Sequence, residues 1–520
     1  MSAKQQMKRR SFASHTLVAL ACLLVASTPL HARTHRRHRA ARTTSTPPIP
    51  AIFLSDIHFD PLRDPVKAPR LDAAPVDQWA AILASPDSPT RDADYAAINA
   101  RCPIKPLVDP DDRLFHSALD AIHSQARTTH ARFAVLGGDL IGHQYDCRYN
   151  LLFPKATHAQ FLAFVLKTEE YVISNLRTAL PSIPIYITYG NDDTGCHDNS
   201  LSPHDDFLSQ AASLAADTLP GLDQAAALRT FPRGYYAASL PVPHTRILVL
   251  DDVYQMATYK TCTAQANPSA PPDPAAEAGQ DAQLAWLATQ LKQIHRLHQQ
   301  AWVLAHVPPG VNVYTVDNLK QDICAGTPPP TFLANDKLND LLAANADIVR
   351  LALFGHSHTD ELRLLKPRGA PHLASEMWEN GHSASGVPVK ILPSISPVFA
   401  ELPSFTLAKV DPRTATLKDY SVVMASNSSG FHTTWAQTYT FSDTYHLPDF
   451  SPDSLTQLIT IFQSDPSAQK PASQAYLREY RHYFFDDHSA PLLPYWPRYA
   501  CATDHISAAS FTACACAATK

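Results

Sequence analysis

Side chains that can bind metal ions directly follow five short apolar runs of the sequence. The runs are residues 51–55, 133–136, 185–189, 302–305 and 349–354, and the side chains are Asp56, His58, Asp139, Asn191, His306, His356 and His358. Functional groups of open α/β sheets gather at the carboxyl ends of the strands. Because buried charges must be paired or bound to metal, seven such groups at one edge would require a cation. The pattern therefore predicts a metal centre.

The residue types and their number indicate the kind of metal centre. Histidine and carboxylate without thiolate suit a divalent ion such as zinc, manganese or iron. Seven ligands exceed the four that one tetrahedral zinc takes. If one carboxylate is shared, the set can hold two ions about 3.5–4 Å apart, the arrangement used in phosphoryl chemistry. We therefore expect two divalent metal ions as cofactors, with zinc favoured and manganese or iron as alternatives.

The apolar runs are typical of buried strands, and amphipathic patterns between them predict helices. Residues 247–250 form a further strand-like run, and the helical patterns cover residues 113–128, 158–180, 281–299 and 333–345. Short apolar runs that alternate with long amphipathic helices favour an α/β domain with a central sheet. The Pro/Ala-rich stretch 262–280 is predicted to be a surface loop.

The residue pattern changes after residue 402. Residues 51–402 contain every candidate ligand and are predicted to form the catalytic domain. Residues 404–410 and 416–424 are strand-like, and helical patterns begin near residues 454 and 474. We therefore expect residues 403–520 to contribute strands and a mainly helical C-terminal subdomain.

The N-terminus has the pattern of a targeting segment. Residues 1–32 combine a basic start, the apolar segment 17–26 and small residues near a cleavage site, which predicts a signal peptide. The segment is short for a membrane span, and a membrane anchor is the alternative interpretation. Residues 33–50 are basic and then rich in Ser, Thr and Pro, which predicts a disordered linker. We therefore expect an exported protein, periplasmic or extracellular, without an integral membrane segment after cleavage.

Composition and cysteine content agree with an exported globular protein. The 520 residues are 45% hydrophobic and 18% charged, and the net charge of −5 implies no general attraction to nucleic acid. Eight cysteines follow the signal peptide: Cys102, Cys147, Cys196, Cys262, Cys324, Cys501, Cys514 and Cys516. An even number in an oxidising compartment predicts disulfides, whose pairing cannot be deduced from the sequence.

The order of these motifs resembles that of the calcineurin-like metallophosphoesterase superfamily. Within it, the chain is similar to the acid sphingomyelinase-like phosphodiesterases through the segments LSDIHFDP, GGDLIGH, LAHVPPG, FGHSHTDEL and LPSISPVF. The resemblance extends over about residues 51–515, nearly all of the mature chain. It implies a β-sandwich flanked by helices and a metal-dependent phosphoric ester hydrolase.

The resemblance also implies a role for each candidate residue. Asp56, His58 and His358 would bind the first ion, and Asn191, His306 and His356 would bind the second. Asp139 would bridge both ions, and a hydroxide between the ions would attack phosphorus. His143, four residues after Asp139, would contact the phosphate or assist the leaving group, unless it is an ordinary loop histidine.

Asp192 departs from the family pattern, which has His directly after the metal-binding Asn. In the relatives that His is thought to protonate the leaving oxygen. A carboxylate beside two cations has a lowered pKa and is a poor proton donor. Either His143 takes the acid role, or the leaving group needs little help, which favours phosphoanhydrides or activated diesters. Alternatively, Asp192 only hydrogen-bonds a ligand or binds a further cation.

Three functional hypotheses follow from the sequence and the resemblance. The first is an exported binuclear-metal phosphoesterase that hydrolyses phosphodiester or phosphoanhydride bonds of a phosphorylated small molecule or polyphosphate. The second is a sphingomyelin or phospholipid phosphodiesterase that releases a phosphorylated headgroup from a lipid. The third is a metal-binding protein without catalytic activity.

Overall fold

The fold is built from two mixed β-sheets and the helices that surround them. The computed structural model describes residues 46–202, 206–263, 274–367, 386–481 and 492–518, and residues Thr46–Lys520 form one compact unit. The predicted signal peptide and residues 33–45 of the predicted linker lie outside the described residues. The linker prediction ends too late, because the first strand already begins at Ile49.

The strands contain every apolar run that was predicted to be one. They are β1 (Ile49–Leu54), β2 (Phe133–Leu136), β3 (Ile185–Ile187), β4 (Tyr235–Ser239), β5 (Thr245–Leu250), β6 (Gln300–Leu304), β7 (Val349–Phe354), β8 (Glu361–Leu365), β9 (Val387–Ile391), β10 (Ser404–Val410), β11 (Leu417–Ala425) and β12 (Trp435–Thr440). Four of them, β4, β8, β9 and β12, were not expected from the sequence.

The helices include those that the amphipathic patterns predicted. They are α1 (Ala68–Ala73), α2 (Trp79–Leu83), α3 (Arg91–Asn99), α4 (Asp112–Thr129), α5 (Tyr145–Leu152), α6 (His158–Ala179), α7 (Asp206–Ala216), α8 (Gly221–Ala227), α9 (Pro274–Arg296), α10 (Val313–Asn318), α11 (Lys337–Ala343), α12 (Phe441–Tyr445), α13 (Pro452–Gln463), α14 (Pro471–Arg481), α15 (Trp496–Ala502) and α16 (Ala508–Ala518). The loop predicted over residues 262–280 is wrong from Pro274 onward, where α9 begins.

In the described part of the chain each sheet has six strands, and each contains a run of parallel strands. The first has the order β12-β11-β10-β1-β2-β3, and the second has the order β4-β5-β6-β7-β9-β8. Strands β1, β2 and β3 are parallel to one another, as are β5, β6, β7 and β9. The predicted α/β class is therefore confirmed, with two sheets flanked by helices.

The two sheets pack face to face through large side chains. The indole of Trp302 on β6 contacts the rings of Phe53 and Phe133 at centroid distances of 5.9 and 5.8 Å. At the β3–β4 end, the Tyr236 hydroxyl accepts a hydrogen bond of 3.0 Å from the amide of Ile187. All four of these aromatic side chains are fully buried. The contacts align the carboxyl ends of the parallel strands from both sheets.

The C-terminal strands belong to the first sheet rather than to a separate layer. Strand β10 pairs antiparallel with β1, from Ile49 opposite Val410 to Phe53 opposite Thr406. A domain boundary at residue 402 would therefore cut a sheet that holds β1 at its centre. Only the helices after β12 form a mainly helical region of the kind expected at the C-terminus.

All eight cysteines that were expected to form disulfides do so. The pairs are Cys102–Cys147, Cys196–Cys262, Cys324–Cys516 and Cys501–Cys514. Within the described part of the chain, none of the helices has both the length and the apolar character needed to cross a bilayer.

Candidate metal centre

All seven predicted ligands meet at the carboxyl ends of the parallel strands. Asp56 and His58 follow β1, Asp139 follows β2, Asn191 follows β3, His306 follows β6, and His356 and His358 follow β7. Three of the strands belong to the first sheet and two to the second, so the packing of the sheets assembles the site. The side chains of Asp56, His58 and His306 are completely buried.

The first group of ligand atoms surrounds His58. Its Nε2 atom lies 3.1 Å from His358 Nε2 and 3.4 Å from Asp139 Oδ2. His358 Nε2 in turn lies 3.6 Å from Asp56 Oδ1. Two imidazole nitrogens and two carboxylate oxygens thus face a common point, which is a donor set suited to a divalent cation.

The second group shares Asp139 with the first. His306 Nε2 lies 3.1 Å from Asp139 Oδ2 and 3.1 Å from Asn191 Oδ1. His356 Nδ1 approaches the same Asn191 oxygen at 2.6 Å. In Asp139, His306 and His356, one potential ligand atom from each residue lies within 4.8 Å of the others, and the same holds for Asp56, His58 and Asp139. A single carboxylate therefore connects two sets that could each hold an ion.

Backbone carbonyls fix the orientation of two of the rings. His58 Nδ1 donates to the carbonyl of Ile141 at 3.0 Å, and His306 Nδ1 donates to the carbonyl of Gly137 at 2.7 Å. In each ring this hydrogen bond leaves Nε2 as the nitrogen that faces the carboxylates. Such an outer partner is the usual way in which a protein sets the tautomer of a metal-binding histidine.

The backbone of the site adopts an unusual conformation. Five ligands have left-handed φ angles: Asp56 at 50°, His58 at 47°, Asp139 at 54°, His356 at 71° and His358 at 60°. Non-glycine residues rarely adopt this region, and they concentrate at functional sites where the surroundings enforce it. Hydrogen bonds between the loops enforce it here, including Asp56 N to Gly138 O and His58 N to Asp139 O, both 3.0 Å.

Two buried carboxylates that were not predicted as site residues hold these loops. Asp193 accepts from the amides of Leu140 at 2.7 Å and Gly190 at 2.9 Å, which ties the β2 loop to the β3 loop. Asp252 accepts from the amide of His306 at 2.9 Å. Both could have been suspected from the sequence, because Asp193 lies in the segment GNDD and Asp252 follows the strand-like run 247–250.

The glycines that precede the ligands allow a close approach of the loops. A Cβ atom on Gly190 would lie 2.6 Å from the amide nitrogen of Asp139 and would overlap its carboxylate. Gly138 has a φ of +95°, and a Cβ there would lie 2.7 Å from His306 Nδ1. Any side chain at these positions would displace the shared carboxylate or the ring beside it.

The electrostatics of the cluster fit bound cations. Burial lowers the pKa of His58 to about 4 and that of His356 to about 3, with the nearby His143 and His306 acting in the same direction, so both rings are neutral and can donate lone pairs. Burial raises the pKa of Asp56 to about 7. A cation would stabilise the carboxylates and satisfy the imidazoles together, so the residues present fit the predicted metal ions.

His143 lies beside the first group of ligands. Its ring stacks on that of His58 at a centroid distance of 3.8 Å, and it also forms a potential metal-binding group with His58 and His358. Its Nδ1 atom, however, is 3.0 Å from Asp109 Oδ1, and its Nε2 atom is 3.8 Å from Asp192 Oδ2. Although burial alone would lower the pKa of His143, Asp109 raises it to about 9. The structure therefore brings His143 to the site with one nitrogen already engaged.

Asp192 is buried against the shared carboxylate. Its amide donates to Asp139 Oδ1 at 2.9 Å, and its Oδ2 atom lies 3.7 Å from His58 Nδ1. Burial and the neighbouring carboxylates, first among them Asp198, raise the pKa of Asp192 well above its usual range. Two bound cations would act in the opposite direction and lower this pKa, as predicted from the sequence. The charge of Asp192 therefore depends on both burial and the bound ions.

An aromatic cavity opens beside the second group of ligands. Its volume is about 270 Å³, and His356 and Ser357 form part of its wall. The aromatic residues that line it are Tyr314, Phe332, Phe399, Tyr476, Tyr480 and Tyr499. A larger cavity of about 930 Å³ lies elsewhere, and none of the predicted ligands lines it. The smaller cavity therefore adjoins the site through His356.

Comparison with known proteins agrees with the resemblance seen in the sequence. No protein-family model matches the chain. The chain is 26% identical over 212 residues to the cyclic GMP-AMP phosphodiesterase of Mus musculus, a match that covers 39% of this chain and 41% of that protein. It is 23% identical over 312 residues to the sphingomyelinase phosphodiesterase C of Dictyostelium discoideum, covering 58% of this chain and 62% of that protein.

A third curated relative carries the family name itself. The acid sphingomyelinase-like phosphodiesterase 3b of Mus musculus is 22% identical over 324 residues, covering 58% of this chain and 62% of that protein. These matches span less than two thirds of the length of each relative. Among solved structures, a dimetal phosphatase from Danio rerio aligns with a TM-score of 0.38 and 13% identity, over 76% of this chain and 100% of that one. The chain is similar in sequence to the acid sphingomyelinase-like phosphodiesterases.

Proposed function

We propose that the chain is an exported, binuclear-metal phosphoesterase that hydrolyses phosphodiester or phosphoanhydride bonds. The observation that carries this proposal is the shared carboxylate of Asp139, whose Oδ2 atom lies 3.4 Å from His58 Nε2 and 3.1 Å from His306 Nε2. An oxygen between two sets of donors is what a pair of ions about 3.5–4 Å apart requires. A non-catalytic metal-binding protein would have no need for His143 beside the ligands or for the cavity beside His356.

The donor set supports two divalent ions, with zinc favoured. Asp56, His58 and His358 would hold one ion, Asn191, His306 and His356 would hold the other, and Asp139 would contact both. Imidazole, carboxylate and amide donors without thiolate suit zinc, manganese or iron. When bound, two such ions would acidify a water and offset the charge that develops on the phosphate oxygens.

The chain's own residues would supply the remaining chemistry. His143 Nε2 is the ring nitrogen that faces the site, since Nδ1 is engaged by Asp109. From there it can contact a phosphate oxygen or donate a proton to the leaving oxygen. Asp192 occupies the position of the histidine that donates the proton in the family, but two bound cations would lower the pKa of its carboxyl group. We assign the proton-donor role to His143 rather than to Asp192.

The cavity supports a compact substrate group rather than a two-chain lipid. Its 270 Å³ and its aromatic walls match a single planar group, such as a nucleobase or an aryl ring, better than the chains of a ceramide. The name of the cyclic GMP-AMP phosphodiesterases also supports a nucleotide diester. We propose phosphodiesters and phosphoanhydrides of compact groups as the substrate class.

A second candidate function is a sphingomyelin phosphodiesterase. The specific observation that favours it is the similarity to the sphingomyelinase phosphodiesterase C of Dictyostelium discoideum. In that case the phosphorylated headgroup would occupy the cavity, and the lipid chains would remain outside it.

One substrate panel tests both candidates. Protein reconstituted with zinc is assayed on bis-p-nitrophenyl phosphate, cyclic dinucleotide, ATP, polyphosphate and sphingomyelin vesicles, with and without chelator. We expect chelator-sensitive turnover of the first three or four substrates and little phosphocholine release. Dominant phosphocholine release would favour the second candidate. Turnover that survives both the chelator and an Asp139→Asn substitution would contradict both.

Export is the expected location. Four disulfides support an oxidising compartment, because disulfides rarely persist in a reducing cytosol. Fractionation of expressing cells, followed by thiol labelling without reductant, tests this. We expect the protein outside the cytoplasm with no reactive thiol among these eight cysteines.

A further inference from the structure

Asp109, a buried carboxylate outside the predicted ligand set, accepts two hydrogen bonds from His143. Asp109 Oδ2 accepts from the amide of His143 at 2.8 Å, and Asp109 Oδ1 accepts from its Nδ1 atom at 3.0 Å. The Ser396 hydroxyl donates to the same Oδ1 atom at 3.0 Å. Asp109 is 1% exposed, so these donors replace the water that an ionised carboxylate would otherwise need.

The two-point contact fixes the side chain of His143 relative to its own backbone. Its ring is then held between the ring of His58, stacked at 3.8 Å, and the edge of Phe399 at 5.7 Å. Gly142 permits the approach, because a Cβ there would lie only 3.2 Å from Asp109 Oδ2. The ring therefore has a carboxylate on one side and the metal centre on the other.

The contact also determines which nitrogen faces the site. A carboxylate accepts hydrogen bonds and does not donate them when ionised, so His143 Nδ1 must carry a proton. Although burial alone would raise the pKa of Asp109, His143 lowers it to about 2 through its charge and its two hydrogen bonds, so the carboxylate is ionised. Nε2 is then the atom that can exchange a proton with a substrate.

The loop that carries Asp109 is anchored from both sides. The amide of Asp60 donates to Pro110 O at 2.9 Å, and the amide of Leu107 donates to Val398 O at 3.0 Å. This loop connects α3 with α4 and does not follow a strand of either sheet. It is therefore an independent element that reaches the metal centre from the side of the β1 loop.

We propose that Asp109 is a positioning residue that holds His143 with Nε2 directed at the leaving oxygen of the substrate. The inference rests on the proposed phosphoesterase function. As the P–O bond to the leaving group breaks, the attacking water forms the new P–O bond and releases a proton to solvent, and the Nε2 proton of His143 passes to the leaving oxygen. Nδ1–H stays on Asp109, and the ring is left as the neutral Nδ1–H tautomer until solvent returns a proton. This arrangement compensates for Asp192 at the position where the family has its acidic histidine.

The test compares Asp109→Asn with wild type on two phosphodiesters that differ only in the leaving group. General-acid help is worth about 10²–10⁴-fold and matters most for poor leaving groups. We expect Asp109→Asn to lose about 10²-fold or more in kcat on an alkyl ester but less than about tenfold on the p-nitrophenyl ester, with metal content unchanged. Asp109→Glu should restore part of the alkyl-ester activity. Equal losses on both esters, or loss of metal ions, would overturn the proposal.

A double variant and a matched control complete the design. If Asp109 acts through His143, then Asp109→Asn should add little to the loss caused by His143→Gln on the alkyl ester, whereas independent roles would give additive losses. The control is Asp419→Asn in β11, another buried carboxylate, which accepts from the amide and hydroxyl of Ser442 in α12. It should leave the ratio of the two activities unchanged.

A spectroscopic readout separates this inference from the proposed function. ¹⁵N NMR of the histidine side chains, with His143→Gln used for assignment, reports which ring nitrogen carries the proton. We expect a protonated Nδ1 in wild type and a mixture of tautomers in Asp109→Asn. If wild type hydrolyses neither ester, the proposed function fails, while the tautomer result still decides the role of Asp109. An unchanged tautomer in Asp109→Asn would refute that role.

Discussion

Asp139 Oδ2 lies 3.1 Å from His306 Nε2, although the two residues follow strands of different sheets. Asp139 follows β2 of the first sheet and His306 follows β6 of the second. Their contact therefore depends on the face-to-face packing around Trp302, which buries the rings of Phe53 and Phe133. The metal centre is thus a product of sheet packing as much as of the local motifs.

Replacement of Gly190 by Ala is expected to disrupt the metal centre although no ligand is substituted. The new Cβ would lie 2.6 Å from the amide nitrogen of Asp139 and would push its carboxylate away. A misplacement of about 1 Å can cost on the order of 10²-fold in rate, so we expect at least that loss in kcat/KM together with a lower metal content. The control is Gly221→Ala, where nothing lies within 4 Å of the new atom. Full metal content and activity in Gly190→Ala would show that the close approach is not needed.

Replacement of Asp192 by His is expected to change leaving-group preference. A histidine there would add a proton donor beside the shared carboxylate. The Oδ2 atom of the present Asp192 lies 3.8 Å from His143 Nε2. We expect about tenfold or greater gain on alkyl phosphodiesters, within the 10²–10⁴-fold worth of general-acid help, and little change on anhydrides. Steady-state kinetics on both classes, with Asp192→Asn as the variant that adds no acid, measures this. An equal gain or loss on both classes would refute the assignment.

Glu169 of α6 predicts an unusual dependence of stability on pH. It is fully buried, and neither of its carboxyl oxygens has a hydrogen-bond partner among the described residues. Burial, with the charges of Asp193 and Asp251, raises the pKa of Glu169 well above its usual range. The folded protein then keeps this proton at pH values where the unfolded chain releases it, above about pH 4.3, so this group favours unfolding increasingly as the pH rises.

The Glu169→Gln variant should therefore be more stable than wild type at pH 7. The gain in the free energy of unfolding is expected to be about 1.4 kcal/mol for each pH unit above about 4.3, up to the folded pKa, and to disappear below pH 4. Denaturant unfolding of both proteins at pH 4, 5 and 7 measures it. Glu170→Gln, the exposed neighbour, should change stability by less than about 0.5 kcal/mol at each pH. A gain for Glu169→Gln that does not depend on pH would contradict the account.

The disulfide Cys196–Cys262 is expected to support metal binding. It ties the loop that follows Asn191 to the segment around Lys260, where the amide of Leu201 also donates to Lys260 O at 3.1 Å. Loss of outer support for metal ligands typically costs about 10–100-fold in affinity. We expect a double Cys→Ser variant of this pair to bind zinc about tenfold more weakly in a chelator competition.

The disulfide Cys501–Cys514 provides the matched control for that experiment. It joins α15 to α16, far along the chain from every ligand. Its double Cys→Ser variant should lose stability, within the roughly 2–4 kcal/mol that disulfides typically contribute, but should keep its zinc affinity. Equal weakening of zinc binding in both variants would indicate a general effect on folding.

The ligands could be predicted from the sequence because the chemistry lies in short local patterns. An apolar run followed by Asp-x-His or Gly-His-x-His defines both a strand and the residues at its end. Asp109 could not be found in this way, because it follows no strand and meets His143 only through the path of the loop between α3 and α4. The pairing of β10 with β1 could not be predicted from the sequence either, because tertiary packing selects strand partners that are far apart in the chain.

Anomalous diffraction from crystals of the zinc-loaded protein tests the central claim most directly. We expect two anomalous peaks of zinc per chain, about 3.5–4 Å apart, with the Asp139 carboxylate in contact with both. One peak should lie among Asp56, His58 and His358, and the other among Asn191, His306 and His356. A single fully occupied peak, or peaks that do not contact Asp139, would contradict the central claim.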